Sequence, residues 1–180
     1  MPILPTTRSR PSIRPPSRAS RALLVACLLG AGGLAQAQFF ADADWKESDV
    51  PPPPSFDQDK LIPIDMPRYM TLKFGIDPAT IKITGDGVVR YVVVATHGEG
   101  GGFNAFYEGL RCSTDEYRSY ARFTNGKWDV SPAPEWKRFA DRNSSYTRML
   151  AQQGLCRGHA PRASVGEMVR SLKAPVREVE

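Results

Sequence analysis

The alternation of apolar and polar residues predicts β-strands through the middle of the chain. Residues 80–84 alternate, with Ile81 and Ile83 on one side, as in a half-buried strand. A Gly-Asp-Gly turn follows at residues 85–87, and residues 88–96 are apolar at nearly every position and rich in β-branched side chains. Such a run is typical of a central strand that is covered on both faces. We therefore expect a hairpin whose second strand lies in the middle of a sheet.

Residues 103–112 are expected to form the next strand and to pair with this central strand. If Thr96 lies opposite Phe103, an antiparallel register follows for the other residues. That register places five apolar residues on one face of the sheet: Val89, Val93, Phe106, Leu110 and Cys112. The glycine-rich segment at residues 98–102 is interpreted as a hairpin loop. A dinucleotide-binding loop is not expected there, because a strand rather than a helix is predicted to follow it.

A third hairpin is predicted at residues 125–126, where Asn-Gly is the strongest two-residue hairpin signal. A two-residue loop pairs the flanking residues across the strands: Phe123 with Trp128 and Arg122 with Asp129. Both are favourable cross-strand pairs. Arg118 and Arg122 are four residues apart, so they are expected to share one solvated face of the sheet.

The apolar period becomes helical after the prolines at positions 132 and 134. The first helix is indicated by three residues and is expected to end near Gly154: Tyr146, Met149 and Leu150. Ser164 and Glu167 form a capping box before an apolar stripe made of Val165, Met168, Val169 and Leu172. The pattern predicts an α+β fold, in which an antiparallel β-meander of about four to six strands carries two C-terminal helices packed on it.

Composition divides the chain into four parts: a signal peptide (residues 1–37), an extended Pro-rich arm (38–60), a single α+β domain (61–174) and a C-terminal tail (175–180). The four prolines at residues 51–54 favour a polyproline II conformation. Such an arm is either a docking peptide for an aromatic groove or a spacer that holds the arm off the body, and the spacer is favoured. Trp45 and Phe56 are expected to pin the arm to a surface.

The first 37 residues have the three parts of a secretory signal peptide. Five arginines and no acid come first, an apolar stretch of 13 residues follows, and small residues precede an expected cleavage between Ala37 and Gln38. The apolar stretch is too short to span a bilayer. An alternative is lipoprotein processing at Cys27, because residues 24–27 resemble a lipobox. Cleavage after Ala37 is favoured, since too few apolar residues precede Cys27.

The signal peptide also accounts for the basic character of the chain. The 180 residues have a net charge of +5, which alone suggests a nucleic-acid or membrane-surface binder. Without the leader, the 143 remaining residues hold 19 basic and 19 acidic side chains. A neutral protein has no global attraction to a phosphate backbone, so we expect no nucleic-acid partner. The leader predicts a periplasmic location, with an outer-membrane lipoprotein as the alternative.

Cys112 and Cys156 are the two cysteines that remain after the leader. An even number of cysteines in an exported chain predicts a disulfide between them. A zinc site is the competing interpretation, since His97 and His159 complete a possible Cys2His2 set. The spacing is wrong for a zinc finger, which uses close cysteine pairs and close histidine pairs. No metal or other cofactor is therefore expected.

No catalytic residue is assigned from the sequence. The chain lacks the G-x-S-x-G motif of serine hydrolases. Any histidine-based mechanism must use His97 or His159, and a hydrolase using His97 and Glu108 is the enzymatic alternative. Glu108 is expected instead to meet an arginine or a hydroxyl across the sheet. The candidate surface or site residues are His97, Tyr107, Glu108 and Arg111.

Several blocks resemble one family of exported bacterial proteins. They are the W-K-E segment with its four prolines, the block VRYVVVATHGEGGGFNAFYEGLRC and the later C-x-G at residues 156–158. Together they resemble the cryptic-neisserial-protein-1-like (CNP1-like) family over roughly residues 45–172. The resemblance implies an envelope or secreted location in a Gram-negative bacterium, and it supplies no activity, ligand or catalytic residue.

The most consistent function is a small envelope protein that binds or assists a partner and is not an enzyme. A partner from the envelope is expected, and no transmembrane helix is predicted in the mature chain. The arm and four aromatic residues of the sheet are the expected contact surfaces: Tyr107, Tyr120, Trp128 and Trp136. The oligomeric state is not indicated by the sequence.

Overall fold

The structure is a computed structural model that describes residues 44–98, 101–141 and 146–174. The chain divides into two compact units, residues 1–45 and residues 46–180. In the first unit, only Asp44 and Trp45 lie among the described residues. The predicted signal peptide, its cleavage between Ala37 and Gln38, the lipobox at Cys27 and the tail at residues 175–180 all lie outside them.

An antiparallel sheet forms the body of the second unit. Its strands are β1 (Ile62–Pro63), β2 (Leu72–Ile76), β3 (Lys82–Ile83), β4 (Val88–His97), β5 (Phe103–Arg111), β6 (Glu116–Thr124), β7 (Lys127–Val130) and β8 (Lys137–Arg138). Six of them follow the order β1-β2-β4-β5-β6-β7, while β3 pairs with β4 and β8 pairs with β6. The predicted meander is confirmed.

Two helices near the C-terminus complete the α+β fold. Helix α1 (Tyr146–Leu150) continues into a π-helical turn (Ala151–Leu155), and helix α2 (Val165–Lys173) follows a small ribbon of β9 (Cys156–Arg157) and β10 (Ala160–Pro161). Short 3-10 turns lie at Gln58–Lys60, Pro78–Thr80 and Phe139–Asp141. In the described parts of the chain, no helix is both long and apolar enough to span a bilayer.

The predicted hairpin registers are observed. Thr96 pairs with Phe103 and Val89 with Leu110 between β4 and β5. The Asn-Gly turn pairs Phe123 with Trp128 and Arg122 with Asp129. The first predicted strand is shorter than expected, because residues Pro78–Thr80 form a 3-10 turn. Ile81 is buried there, whereas Ile83 is 36 % exposed, so the two isoleucines do not share a buried face.

The helices cover one face of the sheet, which we call the helix face. Odd-numbered residues of β4 point to it, and they pack with Leu110, Leu150, Leu155, Met168 and Leu172 in one buried cluster. Ser164 caps α2 as predicted, since its hydroxyl accepts a hydrogen bond from the Glu167 amide at 3.2 Å. Gly154 does not end α1 but lies inside the π-helical turn. A Cβ at this position would collide with Leu172, so the glycine allows the two helices to approach closely.

A disulfide joins the sheet to the helices on this face. Cys112, directly after β5, is bonded to Cys156 at the end of the π-helical turn, with 5.8 Å between their Cα atoms. The predicted disulfide is therefore confirmed. It closes a loop of 45 residues, counting both cysteines, that contains β6, β7, β8 and α1.

The opposite face of the sheet, which we call the arm face, is covered by the Pro-rich arm. Phe56 and Leu61 pack against a second cluster of buried residues that comprises Val92, Val94, Ala105, Tyr107, Tyr120 and Ala121. The expectation of a spacer that holds the arm off the body is wrong for residues 47–60, because polar groups near the start of this segment and Phe56 near its end both contact the sheet. Phe56 pins the arm as predicted.

A β-bulge separates two arginines that were expected to share a face. The register between β5 and β6 shifts at Tyr107 and Glu108, which pair with Ala121 and Ser119. The extra residue in β6 reverses the alternation beyond it. Arg118 therefore points to the arm face and is half-buried, whereas Arg122 lies on the helix face and is exposed.

Candidate functional site

An open groove of about 660 Å³ lies on the helix face of the sheet. Strands β2, β4, β5 and β6 supply its floor, and the segment at residues 131–137 together with Tyr146 supplies its walls. Its apolar side chains include Leu72, Phe74, Ala95 and Phe106, and its polar ones include His97, Asn104, Glu108, Ser119 and Arg122. Its volume lies within the range of small-molecule sites, about 300–1,000 Å³.

A buried carboxylate lies at the bottom of this groove. Glu108 is 1 % exposed, and each of its carboxylate oxygens accepts a hydrogen bond from a tyrosine: the Tyr91 hydroxyl lies at 3.2 Å and the Tyr146 hydroxyl at 2.7 Å. Burial, together with the neighbouring Glu108, raises the pKa of Tyr91 well above its ordinary value. Tyr91 therefore stays protonated and donates. The expectation that Glu108 meets a hydroxyl across the sheet is confirmed.

Tyr146 is held in place by an aromatic stack. Its ring lies 4.5 Å from the ring of Phe74, and the two planes are within 11° of parallel. Phe74 belongs to β2 and Tyr146 begins α1, so the stack ties the sheet to the helix at the wall of the groove. Such a contact stabilises by about 0.5–1.5 kcal/mol beyond burial. It also fixes the direction in which the Tyr146 hydroxyl points.

A cation lies over an aromatic ring at the mouth of the groove. The guanidinium carbon of Arg122 is 5.7 Å from the centre of the Phe106 ring, and the guanidinium also donates to the Asn104 side-chain oxygen at 2.9 Å. Arg122 is exposed, and a guanidinium carries five N–H donors. This arrangement offers a flat apolar surface next to hydrogen-bond donors. It suits a ligand that has both an apolar ring and an anionic or hydroxyl group.

The four candidate residues from the sequence do not form one site. His97 and Glu108 line the same groove, but His97 is exposed at the end of β4 and lies six residues beyond Tyr91, which pairs with Glu108. At 3.3 Å per residue, about 20 Å of strand separates them. Tyr107 and Arg111 belong to the arm face, where Tyr107 is buried and Arg111 pairs with Glu116 at 3.3 Å. His97 and Glu108 do not converge.

The zinc interpretation is wrong, because its two thiols are joined in the disulfide. Cys112 and Cys156 therefore cannot bind a metal as thiolates. Over residues 44–98, 101–141 and 146–174, no cluster of three or more His, Cys, Asp or Glu side chains has the geometry of a metal site.

A second depression, of about 870 Å³, lies beside β9 and β10. Cys156 and His159 contribute to its lining, and its charged residues Asp65, Asp115, Arg138 and Arg148 are all exposed. Unlike the groove, it has no buried charged side chain among the described residues that line it. The groove is therefore the stronger candidate for recognition of a specific ligand.

Sequence reasoning missed a polar cluster on the arm face, which we call the clamp and which comprises Glu47, Ser48, Asp49, Asp86, Arg90, Arg118 and Tyr120. The carboxylate of Glu47 accepts hydrogen bonds from the Arg118 guanidinium and the Tyr120 hydroxyl. Burial and the bond to Glu47 raise the pKa of Tyr120 well above its usual value, so its hydroxyl remains a donor.

The rest of the clamp holds the backbone of the arm. Ser48 donates to the Asp86 carboxylate through its amide at 2.6 Å and its hydroxyl at 2.8 Å. Arg90, which is 4 % exposed, donates to the carbonyl oxygens of Ser48 at 2.7 Å and Asp49 at 2.9 Å. The signal in the sequence was Arg90 itself, a lone charge inside an apolar strand, which requires a buried partner.

Partial burial alone would raise the pKa of Asp86. Hydrogen bonds from the Thr84 hydroxyl, from the amide and hydroxyl of Ser48 and from the Val88 amide overcome that effect and lower the pKa to about 2. Asp86 is therefore ionised at any physiological pH. It supplies a permanent negative charge 4.0 Å from Arg90.

The aromatic residues expected to form an exposed contact surface are instead packed under or beside the arm. Tyr107 and Tyr120 are 3 % and 4 % exposed. Phe56 meets Phe103, Phe123 and Trp128 edge-on, with centroid distances of 5.2–6.2 Å. Trp136 lies between the guanidinium groups of Arg111 and Arg118. The arm of the protein already occupies this surface.

Comparison with known proteins gives one match. Residues 40–173 match the CNP1-like family, which covers more than half of the chain. No curated protein and no solved structure matches the chain. The match contains every element described above, from the clamp residues of the arm to α2.

Proposed function

The chain belongs to the CNP1-like family, and from this membership and its groove we propose that it is an exported, non-enzymatic envelope protein that binds a ligand or assists a partner. The observation that carries the proposal is the groove on the helix face, in which a carboxylate buried between two tyrosines lies below an exposed Arg122 on Phe106.

The geometry favours binding over hydrolysis. A general base must reach the proton that it removes, within about 3 Å or through one water. Both carboxylate oxygens of Glu108 already accept tyrosine hydrogen bonds, and the carboxylate is 1 % exposed. The hydrolase alternative also needs His97, which is exposed about 20 Å along the sheet. What the groove offers a ligand is an apolar floor with a few polar groups at its edge, as small-molecule sites do.

Two features support export to an oxidising compartment such as the periplasm. The sequence of the first 37 residues has the pattern of a signal peptide. The disulfide between Cys112 and Cys156 is a bond that persists in oxidising compartments and is rare in the cytosol. The family match begins at residue 40, three residues beyond the proposed cleavage after Ala37.

The binding proposal is tested with 1-anilinonaphthalene-8-sulfonate, which combines an aromatic ring with an anion. We expect one dye per protein, with the Arg122→Ala variant binding at least five-fold more weakly. Lys127→Ala removes an exposed cation from β7, outside the groove, and should leave the affinity unchanged. A small-molecule extract of the cell envelope should displace the dye. Equal dye affinity in both variants, or no displacement, would contradict the proposal.

Location and processing are tested by fractionation and intact mass of the protein expressed with its own leader. We expect a periplasmic product that begins at Gln38 and has no free thiol when denatured without reductant. A lipid-modified product that begins at Cys27 would instead establish the lipoprotein alternative. A product that remains in the cytosol with two free thiols would contradict export.

A further inference from the structure

Residues 47–49 of the arm are held like a bound peptide. Glu47 is recognised through its carboxylate by Arg118 and Tyr120, and Ser48 through its amide and hydroxyl by Asp86. Asp49 contributes its carbonyl oxygen, at 2.9 Å from Arg90. The sheet therefore recognises an acid followed by a small hydroxyl residue, and after that it binds backbone. This is a sequence preference of the kind that peptide-binding sites have.

The groups that hold this peptide belong to the sheet and to the turn between β3 and β4, not to the arm. Arg90 lies in β4, and Arg118 and Tyr120 lie in β6. Asp86 is fixed by the Thr84 hydroxyl and by the Val88 amide at 3.1 Å. Gly109 of β5 leaves the space that Tyr120 fills, since a Cβ there would collide with its ring and with Val88. We call these four groups, Asp86, Arg90, Arg118 and Tyr120, the seat.

The charge of the seat requires an acidic occupant. Two guanidinium groups, on Arg90 and Arg118, face one carboxylate on Asp86, and Glu47 supplies the second negative charge. The Arg90 side chain is 4 % exposed, so an excess positive charge there would be costly. An extended segment with an acid in the position of Glu47 balances the charge.

The arm has a second, separate anchor. Phe56 packs edge-on between Phe103, Phe123 and Trp128, and the Asp57 amide donates to Asp77 at 2.8 Å. Between the anchors lie the four prolines of residues 51–54, which favour polyproline II, a stiff geometry in which four residues span about 12 Å. The first anchor and Phe56 therefore contact the body of the protein through different residues.

We propose that the seat is a peptide-recognition site, and that it accepts in trans an extended segment of a partner protein that carries an acid followed by serine or threonine. The arm is its resident occupant. Because the arm is tethered to the sheet, it competes for the seat at an effective concentration of roughly millimolar. A partner segment therefore binds only when its concentration and affinity are high enough to displace the arm. The partner class is a protein with an exposed acidic segment that is rich in proline or otherwise extended.

The test uses a fluorescein-labelled peptide with the sequence of residues 46–53, KESDVPPP, and measures anisotropy. Its receptor is the full mature chain with Glu47→Ala and Ser48→Ala, which removes the side-chain contacts between the arm and the seat and leaves all seat residues unchanged. We expect this variant to bind the peptide at least ten-fold more tightly than the wild type does. Adding Arg118→Ala to the variant should abolish binding, and adding Lys82→Ala, an exposed cation of β3, should not. A control peptide with Lys in place of the glutamate should bind at least ten-fold more weakly.

A second measurement uses the wild-type chain, in case the double variant does not fold. Trypsin cleavage after Lys46 requires that the arm leave the seat, so excess peptide should accelerate this cut several-fold while the lysine control peptide should not. Absence of acceleration at saturating peptide, or equal binding of both peptides to a folded double variant, would overturn the proposal. Wild-type dimers that the double substitution abolishes would also overturn it, since the occupant in trans would then be another copy of the chain.

Discussion

The two faces of the sheet are covered by different kinds of contact. The helix face is closed by apolar side chains and by a disulfide, and the groove beside Glu108 opens on it. The arm face is closed by a strap of about 15 residues that is held through the clamp at one end and an aromatic cluster at the other. Apolar packing is non-directional, whereas a clamp specifies its occupant. We therefore expect the disulfide of the helix face to contribute more to stability than the clamp does, and the arm face to be the surface that recognises a peptide.

Loss of the disulfide should cause the largest decrease in the free energy of unfolding. Replacing both Cys112 and Cys156 with serine removes a constraint on a loop of 45 residues. The chain-entropy relation predicts a loss of about 4 kcal/mol in the free energy of unfolding. Urea unfolding of the wild type and the variant measures it, and reductant should destabilise only the wild type. A loss below about 1 kcal/mol would mean that packing alone holds the helices on the sheet.

Loss of the clamp should cause the second-largest decrease in the free energy of unfolding. Glu47→Ala removes the acceptor of the Arg118 guanidinium and of the Tyr120 hydroxyl, and a counter-charge of Arg90. Hydrogen bonds that involve a charged group contribute about 1.5–3 kcal/mol, so we expect a loss of about 2.5 kcal/mol in urea unfolding. Asp59→Ala, which removes an exposed acid of the same arm, is the matched control and should have little effect. Equal effects of the two substitutions would contradict a specific clamp.

The two faces also differ in how much of their structure could be predicted from the sequence. Periodicity predicted the registers of β4 with β5 and of β6 with β7, because alternation and an Asn-Gly turn are local signals. The number of cysteines predicted the disulfide. Periodicity missed the bulge in β6, which has no proline or glycine to mark it, and so it placed Arg118 and Arg122 on the same face.

The coverage of the arm face could not be predicted from local patterns. Arg90 and Glu47 are 43 positions apart, and no periodicity connects an arm without regular structure to a strand. The same reason applies to the groove, where Tyr146 reaches Glu108 from 38 positions away. The sequence identified Glu108 and His97 as candidates but not their separation, because only the pairing of strands sets that distance. A buried charge in an apolar strand was the one available signal.

The aromatic anchor should contribute less than the clamp. Phe56→Ala removes three edge-on ring contacts, but Phe56 is only half-buried. Since a fully buried phenylalanine costs about 3–5 kcal/mol, we expect a loss of about 2 kcal/mol in urea unfolding. Val50→Ala, at an exposed apolar position of the same arm, should change stability little. Combined with Glu47→Ala, the two losses should add within about 0.5 kcal/mol, as expected for independent anchors. Strong coupling would mean that the arm binds and leaves as one unit.

The last prediction distinguishes the two faces by the pH dependence of their contributions to stability. The pKa of Asp86 is lowered to about 2 in the folded protein, while an unfolded aspartate titrates near 3.9. Its contribution to stability is therefore complete above about pH 4 and is lost as the pH falls toward 2, because the unfolded chain takes up the proton first. Urea unfolding from pH 2 to pH 6 should show a stability gap between the wild type and Asp86→Asn that is constant above pH 4 and narrows below it. The disulfide has no titratable group, so the loss caused by the double serine substitution should stay the same across this range. A gap for Asp86→Asn that does not narrow would place the role of Asp86 in packing rather than in charge.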